Sequence, residues 1–269
     1  YPDGNALRLK ECLSNKFKVD INCLTIGNGS NDIIEFIARS FLSDKGSAIY
    51  SEHAFAVYPL VVQAVGAEGI EVPAIEYGHD LEQMLKAVKE NTKLVFIANP
   101  NNPTGTFLSP KEIESFLDHL DRNIIVLLDQ AYFDYSSYNN EDISFDLIKN
   151  YPNVIISRSF SKAYGLAGFR IGYSVSSPEV ADYLNRVRQP FNANSLALVA
   201  AEVALSDENH LKKSLEINLD QKTILMKGLR NLGYECIPSE GNFISFNSNG
   251  NGQKLFEDLL NEGVIVRTL

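Results

Sequence analysis

KLVFIANPNNPTG, residues 93–105, is an almost unbroken apolar run that ends in a turn of asparagine, proline, threonine and glycine. Two later segments, NIIVLLDQAY (123–132) and NVIISRSF (153–160), are likewise apolar runs that polar side chains follow directly. Runs of this kind, apolar on both faces, are typical of parallel strands that helices cover on either side. The three segments therefore predict an open α/β sheet whose ligand site lies at the carboxyl ends of its strands.

Extended and helical patterns alternate on both sides of these segments. Four more runs predict strands: DINCLTIG (20–27), SAIYSE (47–52), GIEVPAI (69–75) and FRIGYSV (169–175). Between them, segments such as SNDIIEFIARSFL (30–42) carry apolar residues at helical spacing, and SPKEIESFLDHL (109–120) begins with Ser109 as N-cap and Pro110 in the first turn. We expect a mostly parallel sheet of the seven-stranded type, sandwiched by helices.

The character of the chain changes after about residue 178. A long helical region (179–232) precedes YECIPSEGNFISFN (234–247), a helix in 252–263 and a final strand, VIVRTL (264–269). The sequence thus predicts two domains, a large α/β domain over residues 1–178 and a smaller α+β domain over residues 179–269.

Net charge, apolar runs and cysteine spacing argue against several classes of protein. The 269 residues carry a formal net charge of −10, which argues against a general affinity for nucleic acid or for an anionic membrane. No apolar run is long enough for a transmembrane helix, and the N-terminus lacks the pattern of a secretory signal. The three cysteines are scattered and have no metal-ligand spacing, so we expect reduced thiols, a cytoplasmic protein and no metal site.

Polar groups follow four of the predicted strands, at residues 27–31, 99–105, 129–132 and 159–162. A common ligand would explain four such strand ends, and an anionic aromatic aldehyde that forms an imine with Lys162 fits them. Its phosphate would be bound by Ser159, Ser161, Arg170 and the backbone amides of Ser30 and Asn31 at a helix N-terminus.

The remaining side chains would contact the aromatic ring. Asp129 would pair with a protonated ring nitrogen, Asn102 and Tyr132 would bond a ring oxygen, and Phe55 would stack on the ring face.

Each of these residues also has an ordinary interpretation. Lys162 would be a solvated surface charge, Asp129 a helix cap, Phe55 a core residue and Arg170 a salt-bridge partner. Residues 102–105 would form a β-turn. Taken singly, these alternatives stay open, and it is the joint order of the motifs that favours a site.

GNGS (27–30), NPNNPTG (99–105), DQAY (129–132) and SFSKAYGLAGFRIGY (159–173), in this order, resemble the fold-type I pyridoxal-phosphate aminotransferases. The likeness runs along essentially the whole chain. Three further segments resemble the histidinol-phosphate aminotransferase branch of that family: YPDG (1–4), AFAVYPL (54–60) and RVRQPFNANSLA (186–197).

The resemblance implies pyridoxal phosphate as cofactor, bound by Lys162, which also moves a proton during transamination. It implies catalytic roles for Asp129 and Tyr132 and a contact of Asn102 with both cofactor and substrate. Tyr1 matches a tyrosine that reaches the partner's cofactor phosphate in a homodimer, and Arg267 matches an arginine associated with the substrate's phosphate. The implied reaction converts L-histidinol phosphate and 2-oxoglutarate, small-molecule partners, to imidazole acetol phosphate and L-glutamate.

The sequence also departs from this pattern. The family's longer N-terminal arm and its C-terminal substrate arginine are absent, which predicts a truncated chain. Alternative functions are aromatic transamination, decarboxylation of a phosphorylated amino acid, and an inactive remnant. A non-enzymatic cofactor-binding regulatory module is a further alternative, against which stand the negative charge and the lack of a basic helix-turn-helix segment.

Overall fold

In the computed structural model, which describes residues 1–139, 142 and 144–268, seven strands form one sheet. Along the chain they are β1 (Leu24–Gly27), β2 (Ser47–Ser51), β3 (Glu68–Val72), β4 (Thr92–Ala98), β5 (Ile125–Asp129), β6 (Val154–Ser159) and β7 (Gly172–Val175). Their order across the sheet is β1-β7-β6-β5-β4-β2-β3. Strand β7 is antiparallel to both of its neighbours, whereas the other neighbouring pairs are parallel. The predicted mostly parallel sheet is confirmed.

Helices cover both faces of the sheet. They are α1 (Leu7–Phe17), α2 (Ser30–Phe41), α3 (Val57–Ala64), α4 (Leu81–Lys86), α5 (Pro110–His119), α6 (Ser144–Asn150), α7 (Pro178–Val187), α8 (Ser195–Ser206), α9 (Glu208–Asn231) and α10 (Gly252–Asn261). Buried residues of α2, α3 and α7 share one core with the sheet, and those of α4, α5 and α6 share a second core. None of the helices in the described ranges has the length and apolar character to cross a membrane.

Local sequence explains why these elements form where they do. Every residue of β5 and β6 is buried, as expected of central strands with helices on both faces. Helix α5 begins with the predicted cap: the Ser109 hydroxyl accepts from the Glu112 amide at 3.4 Å, while the Glu112 carboxylate accepts from the Ser109 amide at 2.8 Å.

The region predicted as one long helical stretch divides into α7, α8 and α9. Pro190 lies in the first break, where Phe191 has a left-handed backbone (φ 60°), and Asp207 caps α9 by accepting from the His210 amide at 2.9 Å. The buried residues of α7 and α8 pack into the cores of the sheet. The domain boundary between residues 178 and 179 stays a prediction.

The prediction of a strand at VIVRTL is wrong for the residues that the structure describes. Residues 264–268 form no strand, and the one bridge in the described part of 234–268 joins Cys236 and Phe246 in isolation. A strand requires a neighbour that completes its backbone hydrogen bonds, and a β-branched pattern alone cannot provide one. Leu269 lies outside the described residues.

Candidate active site

A cavity of about 230 Å³ opens at the carboxyl ends of β4, β5 and β6. It is lined by Ser30, Asn31, Phe55, Tyr58, Ala98, Pro100, Asn102, Asp129, Ala131, Tyr132, Ser159, Ser161, Lys162, Ala167 and Arg170. All the residues predicted to contact a cofactor line this one cavity, except Tyr1. The structure therefore brings together side chains from four separate motifs.

The register of the sheet explains this convergence. Ala98 of β4 lies opposite Asp129 of β5, and Asp129 lies opposite Ser157 of β6, so the three strands end at the same edge. The turn after β4 is fixed by Asn99, whose side chain donates to the Leu108 carbonyl and accepts from the Leu108 amide, both at 2.8 Å. These bonds hold the loop that presents Asn102 to the cavity.

Asp129 forms the buried end of the cavity. Asp129 is 5% exposed. Its carboxylate accepts three hydrogen bonds, from the Tyr58 hydroxyl at 3.0 Å, the Ser157 hydroxyl at 3.0 Å and the Ala131 amide at 3.2 Å. Burial raises the pKa of the Asp129 carboxyl above its usual value, while these three donors and the nearby Lys162 oppose the rise. The donors thus favour an anion at a place where burial disfavours one.

Tyr58 was missed by the sequence analysis. Its ring stacks on Phe96 at 4.6 Å between centroids and meets Phe55 edge-on at 5.8 Å. Burial, followed by the negative charge of Asp129, raises the pKa of the Tyr58 hydroxyl well above 10, so the hydroxyl stays protonated and donates. The available signal was its place in AFAVYPL, three residues after Phe55, but that spacing is also typical of a core residue on a helix.

Ser159, Ser161, Arg170 and the start of α2 form the other end, which we call the open end because Arg170 and Asn31 are exposed, although Ser159 and Ser30 are buried. The Ser159 hydroxyl accepts from the Ser161 amide at 3.1 Å, and Nη1 of Arg170 donates to the Ser161 hydroxyl at 3.3 Å and to the Ala167 carbonyl at 2.9 Å. The first-turn amides of α2 have no acceptor within the helix, and Gly29 gives them no side-chain cap. Hydroxyl, guanidinium and amide donors are therefore grouped at one side of the cavity.

Two glycines make this grouping sterically possible. Gly29 has φ 85°, and a Cβ atom at this position would collide with the Arg170 guanidinium. A Cβ atom on Gly172 would lie 2.6 Å from the Ser30 amide nitrogen, which is closer than real contacts allow. The absence of side chains at both positions lets the guanidinium and the helix start approach each other.

Lys162 lines the same cavity. Its Nζ is 4.8 Å from the centroid of the Tyr132 ring, and the same ring meets Phe243 edge-on at 5.0 Å. A half-buried amine on the cavity wall is accessible to a ligand that also reaches Asp129 and Arg170.

Tyr1 and Arg267 do not line the cavity. Tyr1 is fully exposed, and its ring lies 5.2 Å from that of Phe191. Arg267 is exposed and follows α10. The role predicted for Tyr1 requires a second chain, and both roles stay predictions.

Comparison with known proteins supports the family resemblance that the order of the motifs indicates. The family model described as aminotransferase class I and II matches residues 1–269. The chain is 53% identical over 267 residues to histidinol-phosphate aminotransferase 1 of Idiomarina loihiensis, covering 99% of this chain and 73% of that protein.

Two solved structures are similar to this fold. The crystal structure of histidinol-phosphate aminotransferase from Sinorhizobium meliloti in complex with pyridoxal-5'-phosphate has a TM-score of 0.95 and 27% identity, over 100% of this chain and 74% of that one. The structure of L-threonine-O-3-phosphate decarboxylase from Porphyromonas gingivalis has a TM-score of 0.85 and 28% identity, over 99% and 80%.

Proposed function

Because the chain belongs to the aminotransferase class I and II family, we propose that it transfers the amino group of L-histidinol phosphate to 2-oxoglutarate with pyridoxal phosphate as cofactor. The products are imidazole acetol phosphate and L-glutamate, a reaction of histidine biosynthesis. The observation that carries the proposal is that Lys162 lines one cavity together with a buried carboxylate and a group of hydrogen-bond donors suited to a phosphate. The 53% identity to a histidinol-phosphate aminotransferase supports the choice of amino donor.

The residues of the cavity fit pyridoxal phosphate by their chemistry. Arg170, the Ser159 and Ser161 hydroxyls and the amides at the start of α2 match the oxygens of a phosphate. Gly29, which has no Cβ atom, leaves room for the Arg170 guanidinium in this group. Asp129 matches a protonated ring nitrogen, and the half-buried Phe55 offers a ring face. Asn102 and Tyr132 would bond the ring oxygen, and Lys162 would hold the cofactor covalently.

When bound, this cofactor supplies an electron sink that stabilises negative charge on the α-carbon of the amino donor. The side chains of this chain do the rest. Lys162 Nζ takes the proton from that carbon and later returns a proton, because it is the amine that lines the cavity. Asp129, as an anion, holds a positive charge at the ring nitrogen. Tyr132 orients Lys162 through the face of its ring.

Recognition of the substrate and assembly belong to the same proposal. Arg267 would bind the phosphate of L-histidinol phosphate, since a guanidinium offers a planar set of donors to a dianion. Tyr1 would reach the cofactor phosphate of a second copy, which makes a homodimer the active form. Sedimentation of the purified protein tests the dimer, and a monomer would remove Tyr1 from the partner's cavity.

Borohydride reduction tests the site, and amino transfer tests the reaction. Reduction of the cofactor-loaded protein followed by peptide mass spectrometry should place the label on Lys162, and L-histidinol phosphate with 2-oxoglutarate should yield L-glutamate. Lys162→Ala should abolish turnover, whereas Lys227→Ala, a change on α9 outside the cavity, should not. Label on another lysine, or no label after reconstitution, would overturn the assignment.

Decarboxylation of a phosphorylated amino acid is the second candidate, because a decarboxylase of that kind has the same fold. Release of carbon dioxide from O-phospho-L-threonine without formation of glutamate would favour it. The lower identity, 28% against 53%, makes transamination the better supported activity.

A further inference from the structure

We propose that Tyr58 is a positioning residue for the reaction: its hydroxyl orients the Asp129 carboxylate so that the one acceptor position still open on Oδ2 faces the cavity. The inference rests on the proposed function, in which Asp129 pairs with the ring nitrogen of the cofactor. It goes beyond that function because Tyr58 itself is assigned no contact with cofactor or substrate.

A count of acceptor positions leads to this inference. An ionised carboxylate offers about four lone-pair positions, two on each oxygen. On Asp129, Oδ1 accepts from the Ser157 hydroxyl at 3.0 Å and the Ala131 amide at 3.2 Å, which fills both of its positions. Oδ2 accepts from the Tyr58 hydroxyl at 3.0 Å, and the described residues supply no further donor to it. One position on Oδ2 is left, on an aspartate that lines the cavity.

The packing of Tyr58 makes its hydroxyl a fixed donor. Tyr58 is fully buried, its ring stacks on Phe96 at an interplanar angle of 11°, and Phe55 meets it at 89°. A ring held on a face and on an edge cannot swing its hydroxyl away without disturbing the core. The hydroxyl therefore limits rotation of the carboxylate about its Cβ–Cγ bond.

The bond has a chemical consequence for the proton between Asp129 and the ring nitrogen. A hydrogen bond donated to a carboxylate stabilises the anion and makes it a weaker base. Without the Tyr58 hydroxyl, Asp129 competes better for that proton, and the positive charge on the ring nitrogen decreases. Tyr58 thus helps to keep the proton on the ring, where it is needed for carbanion stabilisation.

Tyr58→Phe tests this directly, because it removes the hydroxyl and keeps the ring. The readout is the nitrogen-15 resonance of ring-labelled pyridoxal phosphate bound to the protein. We expect the wild type to give the signal of a protonated ring nitrogen and Tyr58→Phe to shift it towards that of an unprotonated one. The single-turnover rate with L-histidinol phosphate should fall about tenfold with little change in its KM, in line with the loss of one bond to a charged group.

A matched control is Tyr50→Phe. Tyr50 is also buried, belongs to the same core as Tyr58 and does not line the cavity, so the resonance and the rate should stay those of the wild type. A general effect of removing a buried hydroxyl would instead move the signal in both variants and would overturn the inference.

A second variant keeps the test decisive if Tyr58→Phe does not fold. Tyr58→4-aminophenylalanine retains the ring and a weaker donor, so the resonance should shift in the same direction by a smaller amount. A wild-type resonance in whichever variant folds would refute the role of Tyr58 while leaving the label on Lys162, and hence the proposed function, intact. Absence of that label in the wild type would instead refute the proposed function.

Discussion

The two ends of the cavity differ in how far their hydrogen bonds are complete within the protein. At the buried end, the Asp129 carboxylate already accepts three bonds and is 5% exposed. At the open end, Ser159 is buried as well, but Arg170 and Asn31 are exposed, and the first amides of α2 have no capping side chain. One end is assembled before any ligand arrives, whereas the other offers donors that a bound phosphate would complete.

This difference separates catalysis from retention of the cofactor. Electrostatic groups that are fixed in advance stabilise developing charge without reorganising, so the buried end should govern rate. Charged hydrogen bonds to a phosphate stabilise the bound state whether or not reaction occurs, so the open end should govern affinity. Variants at the two ends should therefore fail in different ways.

Asp129→Asn should have the largest effect, and it should fall on rate. An amide cannot hold the proton of the ring nitrogen as a carboxylate does, and the loss of such stabilisation is typically about 3–4 kcal/mol, or roughly a 100- to 1000-fold slower reaction. Single-turnover kinetics with saturating cofactor measure this loss. Asp118→Asn, a change on α5 away from the cavity, serves as the control. A loss below about tenfold, set against the 100- to 1000-fold expectation, would mean that Asp129 has only a structural role.

His79 should give the buried end a pH-dependent stability. It is 5% exposed, its Nε2–H donates to the Ala98 carbonyl at 3.0 Å, and Ala98 lies opposite Asp129 in the sheet. Burial lowers the pKa of the His79 imidazole from 6.5 to about 4, so the unfolded chain binds the extra proton between these values. Stability should therefore rise with pH from about 4 to about 6.5, by about 3 kcal/mol from this group.

Urea unfolding of the cofactor-free protein between pH 4 and 7 measures this contribution. His79→Gln should flatten the rise, because glutamine does not titrate, whereas His119→Gln, at an exposed position, should leave it unchanged. A rise in His79→Gln as steep as that of the wild type would assign the effect to other groups.

Much of the fold could be predicted from the sequence because its signals are local. The apolar runs that form β4, β5 and β6 indicate buried strands by their composition alone. Ser109 with Glu112 marks the start of α5. Features that depend on distant partners were harder to predict. Residues 264–268 have a strand-like pattern without a neighbouring strand in the described chain, and one predicted helical stretch is divided where Pro190 and Asp207 interrupt it.

The candidate site shows the same limit. Residues at or just after strand ends, such as Asp129, the last residue of β5, and Lys162, three residues after β6, were predictable because parallel strands end at a common edge. Tyr58 was not, because its partner Asp129 is 71 residues away and its helical spacing from Phe55 indicates only a core position. The contact between the start of α2 and Gly172 is likewise visible only in three dimensions.

Arg170→Ala should weaken retention of the cofactor at the open end and leave the single-turnover rate at saturating cofactor nearly unchanged. Loss of a charged donor to a phosphate should weaken cofactor binding by about ten- to a hundredfold. Equilibrium dialysis against pyridoxal phosphate measures the affinity. Arg186→Ala removes an exposed arginine that pairs with Asp182 on α7 and should change nothing. A slower single turnover at saturating cofactor would argue against the division between the two ends.

We expect the smallest effects from the removal of one serine hydroxyl at each end of the cavity. Ser157→Ala removes a donor from buried Asp129, whose Oδ1 still accepts from Ala131, so the cofactor-free protein should lose about 1.5 kcal/mol of stability. Ser161→Ala removes a half-buried hydroxyl beside Arg170, so stability should hold while cofactor affinity falls a few-fold, the equivalent of about 1 kcal/mol. Thermal unfolding without cofactor and dialysis with it measure the two quantities in both variants. If either variant loses both stability and affinity, the two ends act as one unit and the division is wrong.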